Sequence, residues 1–152
     1  MKLKLIYPKW KKLKGQTTFN LPPHGPVVFA ATLPEDVEVS FTDENVEALD
    51  YDEACDLVAI SMMLSTQVKR GWAIADEYRR RGKKVLFGGI STMLHAEETM
   101  EHADAVFLGE SEGRMQEVID DFRRGRLKRV YNYMTRQPAI EDVGPARRDL
   151  YK

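Results

Sequence analysis

The chain has 152 residues, a formal net charge of −1 and 43% hydrophobic residues, a composition typical of one globular domain with an apolar core. The balance of charge gives no reason to expect nucleic acid or an anionic membrane as a partner. No apolar run approaches the roughly 20 residues that a membrane-spanning helix needs.

Cysteine content restricts the chemistry further. Cys55 is the single cysteine, so an internal disulfide and a thiolate cluster for zinc or iron–sulfur are both excluded. It stands just before an apolar strand with no basic partner beside it, which predicts a packed structural thiol. The first residues lack the apolar segment and cleavage site of a signal peptide, and a cytoplasmic location is expected.

Hydrophobic periodicity predicts the elements of the first half of the chain. Residues 2–7 form a short strand, followed by a long basic loop at 9–18. The prolines of Leu21-Pro22-Pro23-His24-Gly25 open a helix that Pro34 ends, because proline is tolerated in a first turn. Strict alternation over 37–43 predicts a half-exposed strand, and the apolar run 56–61 predicts a buried one.

The second half continues the alternation of helices and strands. Ser65-Thr66 is a predicted N-cap for a helix that reaches about Arg81, and Gly82 ends it. Two lysines at 83–84 lead into the apolar run 85–87, which predicts a buried strand that stops at the pair Gly88-Gly89. A helix within 91–102, a short strand at 104–108 and an amphipathic helix at 115–124 complete the pattern.

This order of elements predicts a flavodoxin-like (Rossmann-like) α/β fold. Five strands alternating with crossovers form a parallel sheet of order 2-1-3-4-5, with helices on both faces. Residues 1–130 are the predicted domain. Residues 131–152 show no period and are predicted to be a linker toward another domain.

Small residues and hydroxyls follow the strands at the edge where such sheets bind ligands. Ser61, Ser65 and Thr66 follow the third strand, Gly88, Gly89, Ser91 and Thr92 the fourth, and Gly109 the fifth. The carboxylates of a phosphoacceptor domain are absent, as are Gly-x-Gly-x-x-Gly and the Walker lysine. Bare backbone and hydroxyls suit a bulky ligand with amide and phosphate groups, and they provide no nucleophile with its base.

Four segments, in order, carry a resemblance to a known family. They are Leu21-Pro22-Pro23-His24-Gly25, Asp56 to Ser61, Arg79 to Gly89 and Ala103 to Glu112. Together they resemble the cobalamin-binding domain at the amino end of many radical S-adenosylmethionine enzymes, over nearly the whole chain. The similarity extends to the anaerobic magnesium-protoporphyrin ester cyclase type and to cobalamin-dependent radical methylases. The tail 145–150 resembles the join to the radical domain.

The resemblance implies a bound cobalamin whose nucleotide tail enters the carboxyl edge of the sheet. One wall of the tail pocket would be Ser61, Ser65 and Thr66, the opposite wall Gly88, Gly89 and Ser91, and the far side Gly109 and Glu110. Met62 and Ile90 adjoin these walls. Met62 is apolar and follows a strand, so it is either packed in the core or an apolar seat for the macrocycle.

The resemblance also implies what the chain does alone and with a partner. The Asp-x-His-x-x-Gly motif, whose histidine binds cobalt in related domains, is absent after the first strand. A base-off cobalamin without that histidine is therefore expected. The chain would be the cofactor module of a radical S-adenosylmethionine methylase or cyclase and not itself catalytic, with the 4Fe-4S cluster and S-adenosylmethionine held by a radical domain of the same polypeptide.

Two alternatives from other classes remain open at this point. A flavodoxin-like flavin-binding protein would use Gly15-Gln16-Thr17-Thr18 as its phosphate loop, although that loop lies several residues late. A ligand-free interaction module would use the basic loop at 9–14 and the basic tail.

Overall fold

A computed structural model describes residues 1–11, 15, 21–139 and 144–152 of the chain. The basic loop predicted at 9–18 falls largely outside these residues. This applies to Lys12 and Lys14 of the possible interaction loop and to Gln16, Thr17 and Thr18 of the possible phosphate loop.

Strands and helices alternate through the described chain. The strands are β1 (Lys2–Tyr7), β2 (Glu38–Asp43), β3 (Leu57–Ser61), β4 (Lys84–Gly88), β5 (Ala105–Leu108) and β6 (Val130–Asn132). The helices are α1 (His24–Ala31), α2 (Val68–Arg80), α3 (Ile90–Leu94), α4 (Ala96–His102) and α5 (Met115–Arg123). Short 3-10 turns occur at Ser65–Gln67 and Arg148–Leu150.

The sheet has the order β2-β1-β3-β4-β5-β6, and every pair of neighbours is parallel. The predicted flavodoxin-like fold is thus confirmed, but the sheet has six strands where five were expected. β6 was missed because it has three residues, of which Tyr131 alone is buried, so it shows no period. It begins at Val130, at the predicted boundary between domain and linker, and that division of the chain stays a prediction.

Side chains of successive strand residues point to opposite faces of the sheet, and each face has its own core. The first face carries Leu3, Leu5, Leu57, Ala59, Leu86, Ala105 and Phe107, which pack with α1 and α5. The second face carries Ile6, Val58, Ile60, Val85, Phe87 and Val106, which pack with α2 and residues of α3 and α4. Burial on both faces explains why these strands read as apolar runs.

The end of the chain returns to the amino end of α1. The backbone N–H of Arg147 donates to the carbonyl of Val27 at 2.9 Å, and the Tyr151 hydroxyl donates to the carbonyl of Pro23 at 3.2 Å. The Tyr151 ring also meets Phe41 edge-on, with centroids 6.5 Å apart. Residues predicted as linker therefore contact the domain itself.

None of the helices in the described part of the chain is both long and apolar enough to cross a membrane.

Candidate functional site

A cavity of about 440 Å³ lies over the first face at the carboxyl edge of the sheet. Its floor consists of side chains from four adjacent strands, which are Leu5, Ala59, Leu86 and Phe107. Leu5 pairs with Ala59, and Ala59 with Leu86, so the floor runs straight across the strands. The small side chain of Ala59 leaves depth at the centre of this apolar floor.

Two segments wall the cavity above the floor. One is the start of α1, with His24, Gly25, Val28 and Phe29, and the other is the β5–α5 loop, with residues 109–112. Met63, Ile90 and Met93 also line it, and Met63 and Ile90 are about half exposed. The result is an apolar cavity with a few polar groups in its walls, the usual character of a site for an organic ligand.

Gly88 is the reason that the cavity reaches the edge of β4. It pairs in register with Ser61, and both residues lie on the first face. A Cβ atom placed on Gly88 would meet nothing within 4 Å. The missing side chain therefore leaves open space, and any larger residue would extend into the cavity.

Gly89 has a different role, although both glycines were expected to provide clearance. Its φ of +91° is one that side-chain-bearing residues rarely adopt, and a Cβ there would lie 2.5 Å from the Met62 carbonyl oxygen. The Ser91 N–H donates to that same oxygen at 3.0 Å, and the Met62 N–H donates to the Gly88 carbonyl at 2.9 Å. Gly89 thus lets the β3–α2 and β4–α3 loops join through their backbones.

Gly109 permits a similar close approach on the other side of the cavity. At a φ of +107°, a Cβ would lie 2.8 Å from the carbonyl carbon of Tyr133. The Tyr133 N–H donates to the Leu108 carbonyl at 2.8 Å. The segment after β6 is thereby fixed beside the β5–α5 loop.

Six of the ten predicted site residues line the cavity, namely Ser61, Gly88, Gly89, Ile90, Gly109 and Glu110. Met62 does not, because it follows Ser61 and so points to the second face, where it is fully buried. Ser65 and Thr66 are exposed in the 3-10 turn. Ser91 is buried at the start of α3. These four contribute to the loops around the cavity and not to its lining.

Gln67 is a residue that sequence reasoning missed. Its side chain is fully buried, and its Oε1 accepts hydrogen bonds from the N–H groups of Met63 and Leu64, each at 2.9 Å. Its Nε2 donates to the Pro8 carbonyl at 2.6 Å. The only sequence signal is the spacing of three residues from Leu64, as in the second half of a capping box. Gln67 fixes the loop that carries Met63 to the cavity, and it replaces the predicted Ser65-Thr66 cap.

The β5–α5 loop brings a carboxylate into the wall of the cavity. Glu112 lines the cavity and is only 8% exposed. Its Oε2 atom has no hydrogen-bond partner among the residues that the structure describes. A buried polar atom without a partner is rare in folded proteins and needs an explanation.

Charged groups are distributed unevenly around the cavity. Two glutamates and one histidine line it, and within the described residues no lysine or arginine does. In the same part of the chain no three His, Cys, Asp or Glu side chains come together as a metal site.

A wider groove of about 730 Å³ follows the outer side of α5. Its charged side chains pair with one another, as Arg126 does with Asp121 at 3.1 Å and Lys128 with Glu117. It extends along α5 from Gly113 and Arg114, and no floor residue of the first cavity lines it. We regard it as a solvated surface, and the cavity over the first face as the candidate site.

A parallel α/β domain with an apolar cavity at the carboxyl edge of its sheet is a ligand-binding domain of the doubly wound class. The model of the B12 binding domain family matches residues 11–119, and the chain belongs to this family. Of the classes left open by the sequence, cobalamin binding is thus the one supported, over flavin binding and a ligand-free module.

Two relatives extend this comparison. Bacteriochlorophyllide d C-8(2)-methyltransferase of Chlorobaculum tepidum is 32% identical over 106 residues, which are 69% of this chain and 23% of that protein. Bacteriochlorophyllide d C-12(1)-methyltransferase of the same organism is 30% identical over 110 residues, 71% of this chain and 24% of that protein. The chain thus spans about a quarter of the length of these relatives. No solved structure matches.

The cavity fits the nucleotide tail of cobalamin in three respects. Its apolar floor suits a flat aromatic base, and the open space at Gly88 admits a group of some bulk against the strand end. Glu112, whose Oε2 has no partner among the described residues, lies in the wall.

Proposed function

We propose that this domain binds cobalamin in the base-off form, with the nucleotide tail in the cavity over the first face. The observation that carries the proposal is the bare strand end at Gly88, which opens the edge of the sheet onto an apolar floor. A base lying on that floor is displaced from the cobalt. The absence of the Asp-x-His-x-x-Gly motif after β1 fits a base-off cobalamin that lacks a histidine from that motif.

The rim of the cavity suits the corrin ring. Met63, Ile90 and the neighbouring Leu64 and Leu94 are large apolar side chains between 42% and 69% exposed. Exposed apolar groups beside a cavity typically mark a ligand or partner surface. These side chains would support the macrocycle at the mouth while the floor holds the tail.

The family match favours cobalamin over a flavin nucleotide. The charges of the cavity do not distinguish the two ligands, since each carries a phosphate and the described lining has Glu110 and Glu112 and no lysine or arginine. Retained yellow colour after purification would nevertheless overturn the choice of cobalamin.

We further propose that the domain serves a larger cobalamin-dependent radical S-adenosylmethionine methyltransferase. Both relatives are named as methyltransferases and are about four times as long as the matched segment, which favours methyl transfer over the cyclase type. Their names suggest a substrate like bacteriochlorophyllide. Cys55 is the single cysteine of this chain, and its burial raises the pKa of its thiol. The three cysteines of a 4Fe-4S cluster would therefore come from a separate domain. We expect the whole protein to be cytoplasmic.

When bound, cobalamin would supply the methyl-carrying cobalt of such a reaction. The residues of this chain hold and orient the cofactor. The floor excludes water from the tail, and the loops joined at Gly89 fix the rim. A gene sequence that continues past Lys152 into Cys-x-x-x-Cys-x-x-Cys would support the larger enzyme, and its absence from the gene would contradict a single polypeptide.

The binding proposal is tested with hydroxocobalamin, titrated into the purified chain and followed by its visible spectrum and by equilibrium dialysis. We expect stoichiometric binding with the base-off spectrum. Gly88→Val should abolish tail insertion, because the valine methyl groups occupy the cavity. Gly144→Val is the matched control, since Gly144 is exposed and a Cβ there also meets nothing within 4 Å.

Three results would contradict the proposal. Lack of binding by the wild-type chain would reject the cofactor, and a base-on spectrum would reject the insertion of the tail. Equal binding by the Gly88→Val and Gly144→Val variants would reject the position of the tail in this cavity.

A further inference from the structure

Glu112 differs from the other buried carboxylate near α5. Asp121 is 5% exposed, and its oxygens accept hydrogen bonds from the Tyr131 hydroxyl and from Arg126, each at 3.1 Å. Glu112 is as deeply buried, yet its Oε2 has no partner within the described structure. An acceptor kept away from water in this way costs stability unless a ligand supplies a donor.

The position of Glu112 limits what that donor can be. Glu112 lies in the cavity wall, between Gly109 and Gly113 of the β5–α5 loop, two glycines with positive φ. The amide groups of a corrin ring would remain at the exposed rim, whereas Glu112 is buried, with only 8% of its surface exposed. The donor therefore belongs to the part of the ligand that enters the cavity.

Apart from the amide N–H that links it to the corrin, which cobinamide also carries, the nucleotide tail offers one kind of donor. Its phosphate is an anion, which a carboxylate repels. The free ring nitrogen of its benzimidazole base carries a lone pair and accepts hydrogen bonds. The ribose between these groups carries hydroxyls, which donate.

We infer that Glu112 accepts a hydrogen bond from a ribose hydroxyl of the nucleotide tail and so selects complete cobamides over corrinoids that lack the nucleotide. This inference rests on the proposed binding of cobalamin in the cavity. Glu112 is thus a specificity-determining residue, and its burial without a partner is the cost of that selection in the free domain. A ligand that leaves this buried acceptor unsatisfied should bind about tenfold more weakly.

The test compares Glu112→Leu with the wild type and with Glu98→Gln, an exposed carboxylate on α4 at the second face. Each protein is titrated with cobalamin, with cobinamide, which has no ribose or base, and with a cobamide that has adenine as its base. The Glu112→Leu variant should bind cobalamin and the adenine cobamide about tenfold more weakly. Cobinamide binding should not change, and Glu98→Gln should match the wild type throughout.

A second measurement separates ligand recognition from a structural role. Since leucine removes an unpartnered buried acceptor, the ligand-free Glu112→Leu variant should unfold at an equal or higher temperature than the wild type. A lower unfolding temperature would indicate that Glu112 has a structural partner, contrary to the inference.

The outcomes for the ligands are equally distinct. Unchanged cobalamin affinity, or an equal loss for cobinamide, would overturn the inference while the binding proposal stands. A loss confined to the adenine cobamide would place the donor on the exocyclic amine of adenine, and a loss confined to cobalamin would exclude the ribose that both ligands share; either result would overturn the ribose assignment. Failure of the wild-type chain to bind cobalamin at all would reject the proposed function itself.

Discussion

The two edges of the sheet are built from different residues. At the amino edge, Asp104 accepts hydrogen bonds from Lys84 at 2.8 Å and from the Val85 N–H at 3.0 Å, and Asp56 accepts one from the Lys2 N–H at 2.7 Å. Lys4, with 1% of its side chain exposed, pairs with Glu53. At the carboxyl edge, by contrast, Gly88 leaves a strand end bare above an apolar cavity.

This contrast separates stability from ligand binding along the strand direction. Parallel strands bring all their amino ends to one edge and all their carboxyl ends to the other. Charged pairs that close the amino edge cannot obstruct a ligand at the carboxyl edge. Substitutions at the amino edge should therefore change the free energy of unfolding, and substitutions in the cavity should change the affinity for cobalamin.

The largest expected effect is the loss of Glu53. In Glu53→Gln, the buried Lys4 side chain loses the carboxylate with which it pairs, which costs about 3 kcal/mol. Chemical denaturation should show this loss, while cobalamin affinity of the folded variant stays the same. Adding Lys4→Met to Glu53→Gln should recover most of the stability, since apolar residues often replace buried ion pairs without loss. A double variant as unstable as the single one would contradict this explanation.

The next prediction tests whether the carboxyl edge contains a residue needed for stability, Gly89, beside a residue needed for ligand binding, Gly88. Gly89→Ala should cost about 2 kcal/mol, because alanine is strained at a φ of +91° and its Cβ would contact the Met62 backbone. Gly88→Ala, one residue away, should change stability by less than about 1 kcal/mol and weaken cobalamin binding instead. Thermal unfolding and titration of both variants measure this contrast, and equal stability of the two would refute it.

A comparable loss is expected at Gln67. In Gln67→Leu, the Met63 and Leu64 N–H groups and the Pro8 carbonyl lose their partners, at a cost of about 2 kcal/mol. Amide hydrogen exchange should accelerate at Met63 and Leu64 and stay slow in β4. Slow exchange at both amides would show that other groups hold this loop.

A smaller effect appears on acidification. Burial disfavours the ionised form of Glu53, but the hydrogen bond and charge of Lys4 outweigh it and hold the pKa of Glu53 below its ordinary value. The stability that the pair contributes is complete above the pKa of an unfolded glutamate, roughly 4.3, and is lost as the pH falls through the lower folded value. The stability difference between wild type and Glu53→Gln should shrink over that range. A constant stability difference down to pH 2.5, on the order of two units below the pKa of an unfolded glutamate, would contradict this explanation.

The fold was predictable because four of its strands are strongly apolar and separated by clear helical segments. β6 was not, because a three-residue strand with one buried side chain has no pattern. Its pairing depends on contacts with β5 that only the assembled sheet supplies.

The site was predictable only at the strand ends. Residues that follow strands, such as Ser61 and Gly88, were found because the edge of a parallel sheet is a known ligand position. The floor residue Ala59 and the helix residue Val28 were missed, since they are indistinguishable from core in the sequence. Nothing in Gly109 to Gly113 tells which glutamate is buried, and the structure shows that Glu112 is buried and Glu110 exposed.

The smallest expected effect concerns an exposed ion pair at the amino edge, which should add no stability, unlike the pair of the buried Lys4 with Glu53. Asp52 contacts Arg81 at 2.5 Å, but its side chain is 88% exposed. Arg81 also pairs with Glu77, whose pKa is lowered to about 2 by hydrogen bonds from Arg80 and Arg81. Because an exposed pair is solvated in both states, Asp52→Asn should leave stability unchanged within the error of chemical denaturation. A loss close to that of Glu53→Gln would show that the number of ion pairs at this edge, and not the burial of Lys4, stabilises it.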